Sequence, residues 1–188
     1  MEQEGLVTSH LWRDHFLHQV VTIDPDRCER SFTLRLLHTA VRSGAQSWTL
    51  LTQASGSLEA QAIDGFSHLE RVVDLDDGLT ALQFTPDHPV EKGQGSMIAV
   101  RLDHHNSTQS TFTGYGLRRG MDCLVFEVRF EGDKPGGFRH LLRNLGAEDF
   151  RDQGSQPVHS PQGVQYVIRD PAAGLHHVEW DWEPGQGE

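Results

Sequence analysis

Histidine has the widest chemical range of any residue type in this sequence, and the 188-residue chain contains twelve of them. Three continue the alternating apolar faces of predicted strands, so their side chains are expected to point into the core: His38, His104 and His176. If these strands are neighbours, the three imidazoles meet at one end of the core. Three neutral imidazoles and a water molecule form the ligand set of a catalytic zinc site, and they also suit iron, copper or nickel.

The alternative interpretation of these histidines is structural. Each would be a half-exposed imidazole at the end of its strand, hydrogen-bonded to nearby groups, and the protein would need no cofactor. Sequence spacing does not place ligands that come from separate strands. The sequence therefore predicts no cofactor, with zinc or another transition metal as the alternative.

Four large aromatic residues could form the wall of a binding pocket. They are expected to lie on inward faces of their strands: Trp48, Phe126, Trp180 and Trp182. Such side chains either fill a core layer or line a cavity for an apolar small molecule. A cavity of this kind could also support a cofactor-free cyclisation, with histidines or acids as proton donors.

The motifs of common catalytic sites are absent from the sequence. It contains neither a Gly-x-Ser-x-Gly nucleophile elbow nor an HEXXH zinc motif. Cys123 follows Asp122, whose negative charge disfavours a reactive thiolate. We therefore assign no catalytic residue from the sequence.

Strands must position all of these side chains, because the hydrophobic pattern has a period of two. The clearest case is residues 124–130, in which Leu124, Phe126, Val128 and Phe130 alternate with other side chains. About eight or nine such segments follow one another, separated by turn-forming clusters. The pattern predicts an all-β fold, an antiparallel β-sandwich with an Ig-like arrangement and at most one or two short helices. Residues 138–150 fit either a helix or a bent strand.

The chain length suits one domain, which we expect to span residues 1–188 with loosely ordered tails at 1–12 and 184–188. The formal net charge of −11 disfavours direct contact with nucleic acid. No apolar segment is long enough to cross a membrane. Without a secretory signal, Cys28 and Cys123 are expected to be reduced thiols in a cytoplasmic protein.

Three segments resemble a β-sandwich domain of actinobacterial proteins that often follows a helix-turn-helix module. They are HPVEKGQGSMIAVRL, the strand and turn CLVFEVRFEGDKP, and the closing segment DPAAGLHHVEWDW. The resemblance extends over about residues 12–183 and rests on structural motifs, so it assigns no catalytic residue. It implies an accessory or sensing domain that here lacks the DNA-reading module.

Two hypotheses for function follow. The first is a non-enzymatic binding, sensing or protein-interaction module of a bacterial regulatory system, with a protein partner or a small apolar ligand. The second is a small β-barrel enzyme, cofactor-free or dependent on a histidine-bound metal, that acts on an apolar small molecule. Self-association through a sheet edge is a third possibility that the sequence leaves open.

Overall fold

A computed structural model describes residues 11–53, 56–64, 68–74 and 79–182. In these residues the chain is all-β and contains no helix, which confirms the predicted fold class. Within this part no helix is long and apolar enough to cross a membrane. The predicted loose tails fall mostly outside the described residues. Trp12, however, begins the first strand and is buried.

Fourteen strands occur in the described part of the chain, more than the eight or nine that the sequence suggested. They are β1 Trp12–Ile23, β2 Glu29–Ala40, β3 Trp48–Gln53, β4 Ser57–Asp64, β5 His68–Asp74, β6 Leu79–Thr85, β7 Gly95–His105, β8 Phe112–Leu117, β9 Cys123–Phe130, β10 Gly137–Asn144, β11 Arg151–Asp152, β12 Val158–Ser160, β13 Gly163–Arg169 and β14 Gly174–Asp181.

These strands form three open sheets. The large sheet has the order β12-β13-β9-β1-β2-β7-β4, the second β11-β10-β14-β8, and the third β3-β6-β5. All pairs are antiparallel except β1 and β9, which run parallel with Gln19 opposite Phe126. The closed barrel on which the enzyme hypothesis depended is therefore not formed.

The two smaller sheets cover one face of the seven-stranded sheet, which we call the inner face. From β1, the Gln19 side chain donates a hydrogen bond to Thr113 Oγ1 of β8, at 2.6 Å. From β9, Phe130 meets the edge of Trp180 of β14, with ring centroids 5.8 Å apart. On the three-stranded sheet, Phe84 belongs to the same buried core. The result is a sandwich whose second layer is divided between two sheets.

The period-two pattern explains which side chains enter this core. Along β9, Leu124, Phe126, Val128 and Phe130 are buried, as the alternation predicts. Residues 138–150 fit either a helix or a bent strand in the sequence. The first seven of them belong to β10, which pairs with β14 along its whole length. Pairing with a neighbouring strand outweighs the weak helical spacing of its leucines. The strand ends in a turn at Gly146, whose φ is +78°.

Candidate functional site

His38 lies near the end of β2, on the inner face, where it stacks on Trp12 with ring centroids 4.0 Å apart and an interplanar angle of 7°. Asp14 is opposite it in register, with Oδ1 4.0 Å from His38 Nδ1. A β-bulge at His15 follows, because Asp14 pairs with His38 whereas Phe16 pairs with Leu37. Bulges of this kind redirect side chains near functional sites.

Burial controls protonation in this corner of the fold. It raises the pKa of Asp14 to about 6, although the positive charge of His15 acts in the opposite direction. Burial, assisted by His15, lowers the pKa of His38 to about 3. Burial and the charge of Asp14 also raise the pKa of Tyr115. His38 is therefore a neutral imidazole at pH 7, packed against an aromatic ring.

His104 lies at the other end of the large sheet, near the end of β7. Its Nε2 is 3.4 Å from Glu29 Oε1. Burial lowers the pKa of His104 and raises the pKa of Glu29 to about 7. Desolvation thus favours the uncharged form of both groups.

His176 belongs to β14 and forms a hydrogen-bonded chain with His140 of β10. Its Nε2 donates to the backbone oxygen of Ala172 at 2.8 Å, which leaves Nδ1 as an acceptor. His140 Nε2 lies 3.1 Å from that Nδ1, and Ser155 Oγ lies 3.2 Å from His140 Nδ1. A carbonyl oxygen can only accept a hydrogen bond, so the bond to Ala172 determines which group donates in each hydrogen bond of this series.

The three histidines singled out by the sequence do not meet. Within the pairing of β2 and β7, His38 is opposite Ser96, eight positions from His104 along β7. That separation corresponds to roughly 27 Å. His176 lies in another sheet. Among the described residues, no group of three or more His, Cys, Asp or Glu side chains is placed to hold a metal ion. His38 and His104 are therefore too far apart to share the three-imidazole site that was the alternative to a structural role.

The four aromatic residues make packing contacts. Trp48 packs against Phe84 with centroids 5.9 Å apart, and Phe126 is fully buried. The indole nitrogens of Trp180 and Trp182 both donate to the backbone oxygen of Ser110, at 3.0 and 2.8 Å. These contacts are those of a core layer.

Surface clefts occur elsewhere in the described part of the chain. One, of about 320 Å³, lies between β4 and the three-stranded sheet and includes Leu58, Leu69 and Val72 in its lining. Another, of about 140 Å³, lies beside β9 and β12. None of the four aromatic residues lines either cleft.

The opposite, outer face of the seven-stranded sheet carries a row of exposed apolar side chains. Phe16 of β1 is directly opposite Leu37 of β2, and Leu37 is directly opposite Met97 of β7. Their exposures are 37%, 43% and 47%. We call these three residues the outer apolar row. The row is not evident from the sequence, because each of these residues stands at an outward position next to a strongly buried one.

Unpaired positive charge borders this row. Arg13 and Arg35 are exposed on the outer face, and neither has a carboxylate within 4 Å among the described residues. Two acids on the same face are paired with arginines. Asp103 is held by Arg101 at 2.8 Å, and Glu127 is held by Arg129 at 2.6 Å. Arg13 and Arg35 thus supply positive charge beside the row.

Comparisons with known proteins identify a fold. No protein-family model and no curated protein matches this chain. A candidate protease from Parabacteroides distasonis gives a TM-score of 0.54 at 8% identity, over 91% of this chain and 41% of that chain. Yeast LTA4 hydrolase in complex with bestatin gives 0.52 at 5% identity, over 92% of this chain and 29% of that chain.

A mutant M1 zinc metallopeptidase from Deinococcus radiodurans gives a TM-score of 0.51 at 10% identity, over 89% of this chain and 42% of that chain. This chain therefore spans about two fifths or less of the length of the solved chains that it matches. At such identities the likeness shows a shared fold alone.

Proposed function

We propose that this chain is a non-enzymatic protein-interaction module that binds its partner through the outer apolar row. The single observation that supports this is the adjacency of Phe16, Leu37 and Met97 on a sheet face where all three side chains are exposed among the described residues. Single exposed apolar residues are ordinary, but a contiguous row of them on one sheet face favours an interaction surface. Burying such side chains removes apolar area from water, which is the main source of binding free energy.

The charges beside the row define the chemistry of the partner. Arg13 and Arg35 have no neighbouring carboxylate among the described residues, so a partner with acidic groups around an apolar patch complements them. A second copy of this chain fits poorly. A two-fold interface would place the same patch against itself and bring Arg35 towards its own copy. The proposed partner is therefore a different protein with an apolar surface bordered by carboxylates.

The fold comparisons agree with a module that works beside other protein structure. In the matched solved chains, a fold like this one accounts for about two fifths or less of a longer polypeptide. Their names describe peptidases, and the proposal takes over none of that chemistry. The resemblance to accessory domains stays a prediction that points in the same direction.

Affinity capture with matched variants tests this proposal. The bait is the untagged chain coupled to resin, compared with Leu37→Lys in the outer apolar row and Leu51→Lys on the exposed side of β3. A captured protein is identified, purified and titrated against all three baits. We expect Leu37→Lys to weaken binding at least tenfold and Leu51→Lys to leave it unchanged.

Three results would contradict the proposal. They are equal binding by Leu37→Lys and wild type, selective loss with Leu51→Lys, and failure to capture any partner that binds the purified chain. Light scattering on the wild-type chain provides a further check. A dimer that Leu37→Lys converts to a monomer would show that the row binds a second copy instead.

A further inference from the structure

Glu29 and His104 form an acid–imidazole pair on the inner face of the large sheet, near the end of β7. In regular pairing with β7, Arg30 would face inward opposite His104. The register instead passes from Thr22 opposite Ser31 to Ile23 opposite Glu29, so Arg30 is an extra residue. This bulge turns Arg30 outward and places the Glu29 carboxyl beside the imidazole.

The spacing within this pair does not suit an ordinary hydrogen bond. Glu29 Oε1 and His104 Nε2 are 3.4 Å apart, whereas hydrogen bonds from N–H or O–H donors to oxygen are about 2.5–3.2 Å long. His104 Nε2 is buried and has no hydrogen-bond partner among the described residues. A buried polar atom without a partner is costly and uncommon in folded proteins.

The same spacing does suit two ligands of one metal ion. In a tetrahedral zinc site with bonds of about 2.0–2.2 Å, neighbouring ligand atoms are roughly 3.4 Å apart. We propose that Glu29 Oε1 and His104 Nε2 bind one divalent transition-metal ion of the zinc type, with water molecules in the remaining positions. A carboxylate and an imidazole together favour such an ion over Ca²⁺ or Mg²⁺, which prefer oxygen ligands.

Burial and access both support this assignment. The His104 side chain is 5% exposed and the Glu29 side chain 21%. The partly exposed carboxyl gives the ion and its water molecules a path from solvent. This site is separate from the outer apolar row, because it lies on the inner face and near the other end of β7.

Metal binding to the untagged chain tests the proposal. Zn²⁺ is titrated by calorimetry, and Co²⁺ by absorption of its tetrahedral complex, with Tm measured in each case. The variants are Glu29→Gln and His104→Ala, and the control is His105→Ala, which removes an exposed imidazole from the adjacent position. We expect one ion per chain in wild type and His105→Ala, and affinity lower by roughly 10–100-fold or more in the other two.

Circular dichroism and Tm without metal separate loss of the site from loss of the fold, and Glu29→Gln replaces the carboxyl group with an amide of the same size. Three results would overturn the proposal: no stoichiometric binding by wild type, equal binding by Glu29→Gln, or loss of binding in His105→Ala. None of them depends on whether Leu37→Lys affects a partner.

Discussion

His140 and His176 share one hydrogen bond between β10 and β14, with Nε2 of the first 3.1 Å from Nδ1 of the second. The two rings are nearly parallel, at 10°, with centroids 5.4 Å apart. Both side chains are buried, so neither is readily hydrated if it gains a charge. A second proton on either ring would have no acceptor inside the pair.

Acid should therefore weaken the fold through His140. Burial, and secondarily the charge of His176, lower the pKa of His140 from 6.5 to about 4, although Asp152 acts in the opposite direction. The uncharged Tyr166 also faces this ring. Because the folded-state pKa is depressed, the unfolded chain takes up the proton first. The contribution of His140 to stability is complete above pH 6.5 and is lost as the pH falls towards 4.

The comparison of wild type with His140→Gln isolates this effect. We expect the stability advantage of wild type over the variant to be smaller at pH 5 than at pH 7.5 by about 2 kcal/mol. Urea unfolding at the two pH values measures it. The stability of wild type is compared with that of the variant because Asp14, with a pKa raised to about 6, titrates in the same pH range. Its protonation stabilises the fold as the pH falls, and this contribution is the same in both proteins. An advantage that is independent of pH would refute the assignment of a buried neutral imidazole.

Gly114 and Gly116 of β8 should respond in opposite ways to alanine. A Cβ on Gly114 would lie 2.3 Å from the His177 ring and 2.9 Å from the backbone oxygen of His176. A Cβ on Gly116 would have its nearest neighbour at 4.0 Å. We expect Gly114→Ala to cost about 1–3 kcal/mol of unfolding free energy and Gly116→Ala to change it by less than about 0.5 kcal/mol. Equal effects in urea unfolding would show that β8 is not packed in this register.

The Thr113 hydroxyl should be needed to hold the four-stranded sheet on the large one. It accepts a hydrogen bond from the buried Gln19 amide at 2.6 Å. In Thr113→Val that amide keeps only the carbonyl of Gly114, at 3.4 Å. We expect a loss of about 1–3 kcal/mol in the free energy of unfolding. Thr113→Ser retains the hydroxyl and serves as the control, so a loss as large in Thr113→Ser would remove the hydrogen bond as the cause.

The faces of individual strands could be predicted from the sequence because they depend on local alternation. Leu34, Leu36 and His38 share an inward face as expected, and all three are buried. The pattern carries no information on which strands pair or in which direction. β2 and β7 are indeed neighbours, but their antiparallel register places His38 and His104 at opposite ends. The alternative of a shared three-imidazole site depended on this register, which the alternation does not define.

The bulges were also beyond sequence reasoning. One extra residue reverses the alternation, which is why Glu29 faces inward although simple parity assigns that position to Arg30. The bulge at His15 acts in the same way and aligns Asp14 with His38 on the inner face. The proposed metal pair depends on the shift at Arg30, and neither shift leaves a distinctive residue pattern.

Arg35 should set the rate at which the partner associates. It lies beside Leu37 on the outer face and has no carboxylate within 4 Å among the described residues. In Arg35→Glu we expect slower association with an acidic partner and a weaker dependence of that rate on salt, because steering by charge is screened by ions. Surface plasmon resonance at low and high salt measures both. Unchanged association, with faster dissociation, would argue that the partner is not acidic at this point.

Leu36 and Leu37 are adjacent in sequence, but their substitutions should have opposite consequences. Leu36 is fully buried on the inner face, whereas Leu37 is 43% exposed in the outer apolar row. Leu36→Ala should cost about 2–5 kcal/mol of unfolding free energy, because it leaves a cavity in the core. Leu37→Ala should cost less than about 1 kcal/mol and should weaken partner binding, since its side chain serves the surface and not the core. Urea unfolding and a binding titration on the same two variants measure both effects. If Leu37→Ala destabilised the chain as much as Leu36→Ala, the outer face would be covered by other parts of the protein, and the docking proposal would fail with it.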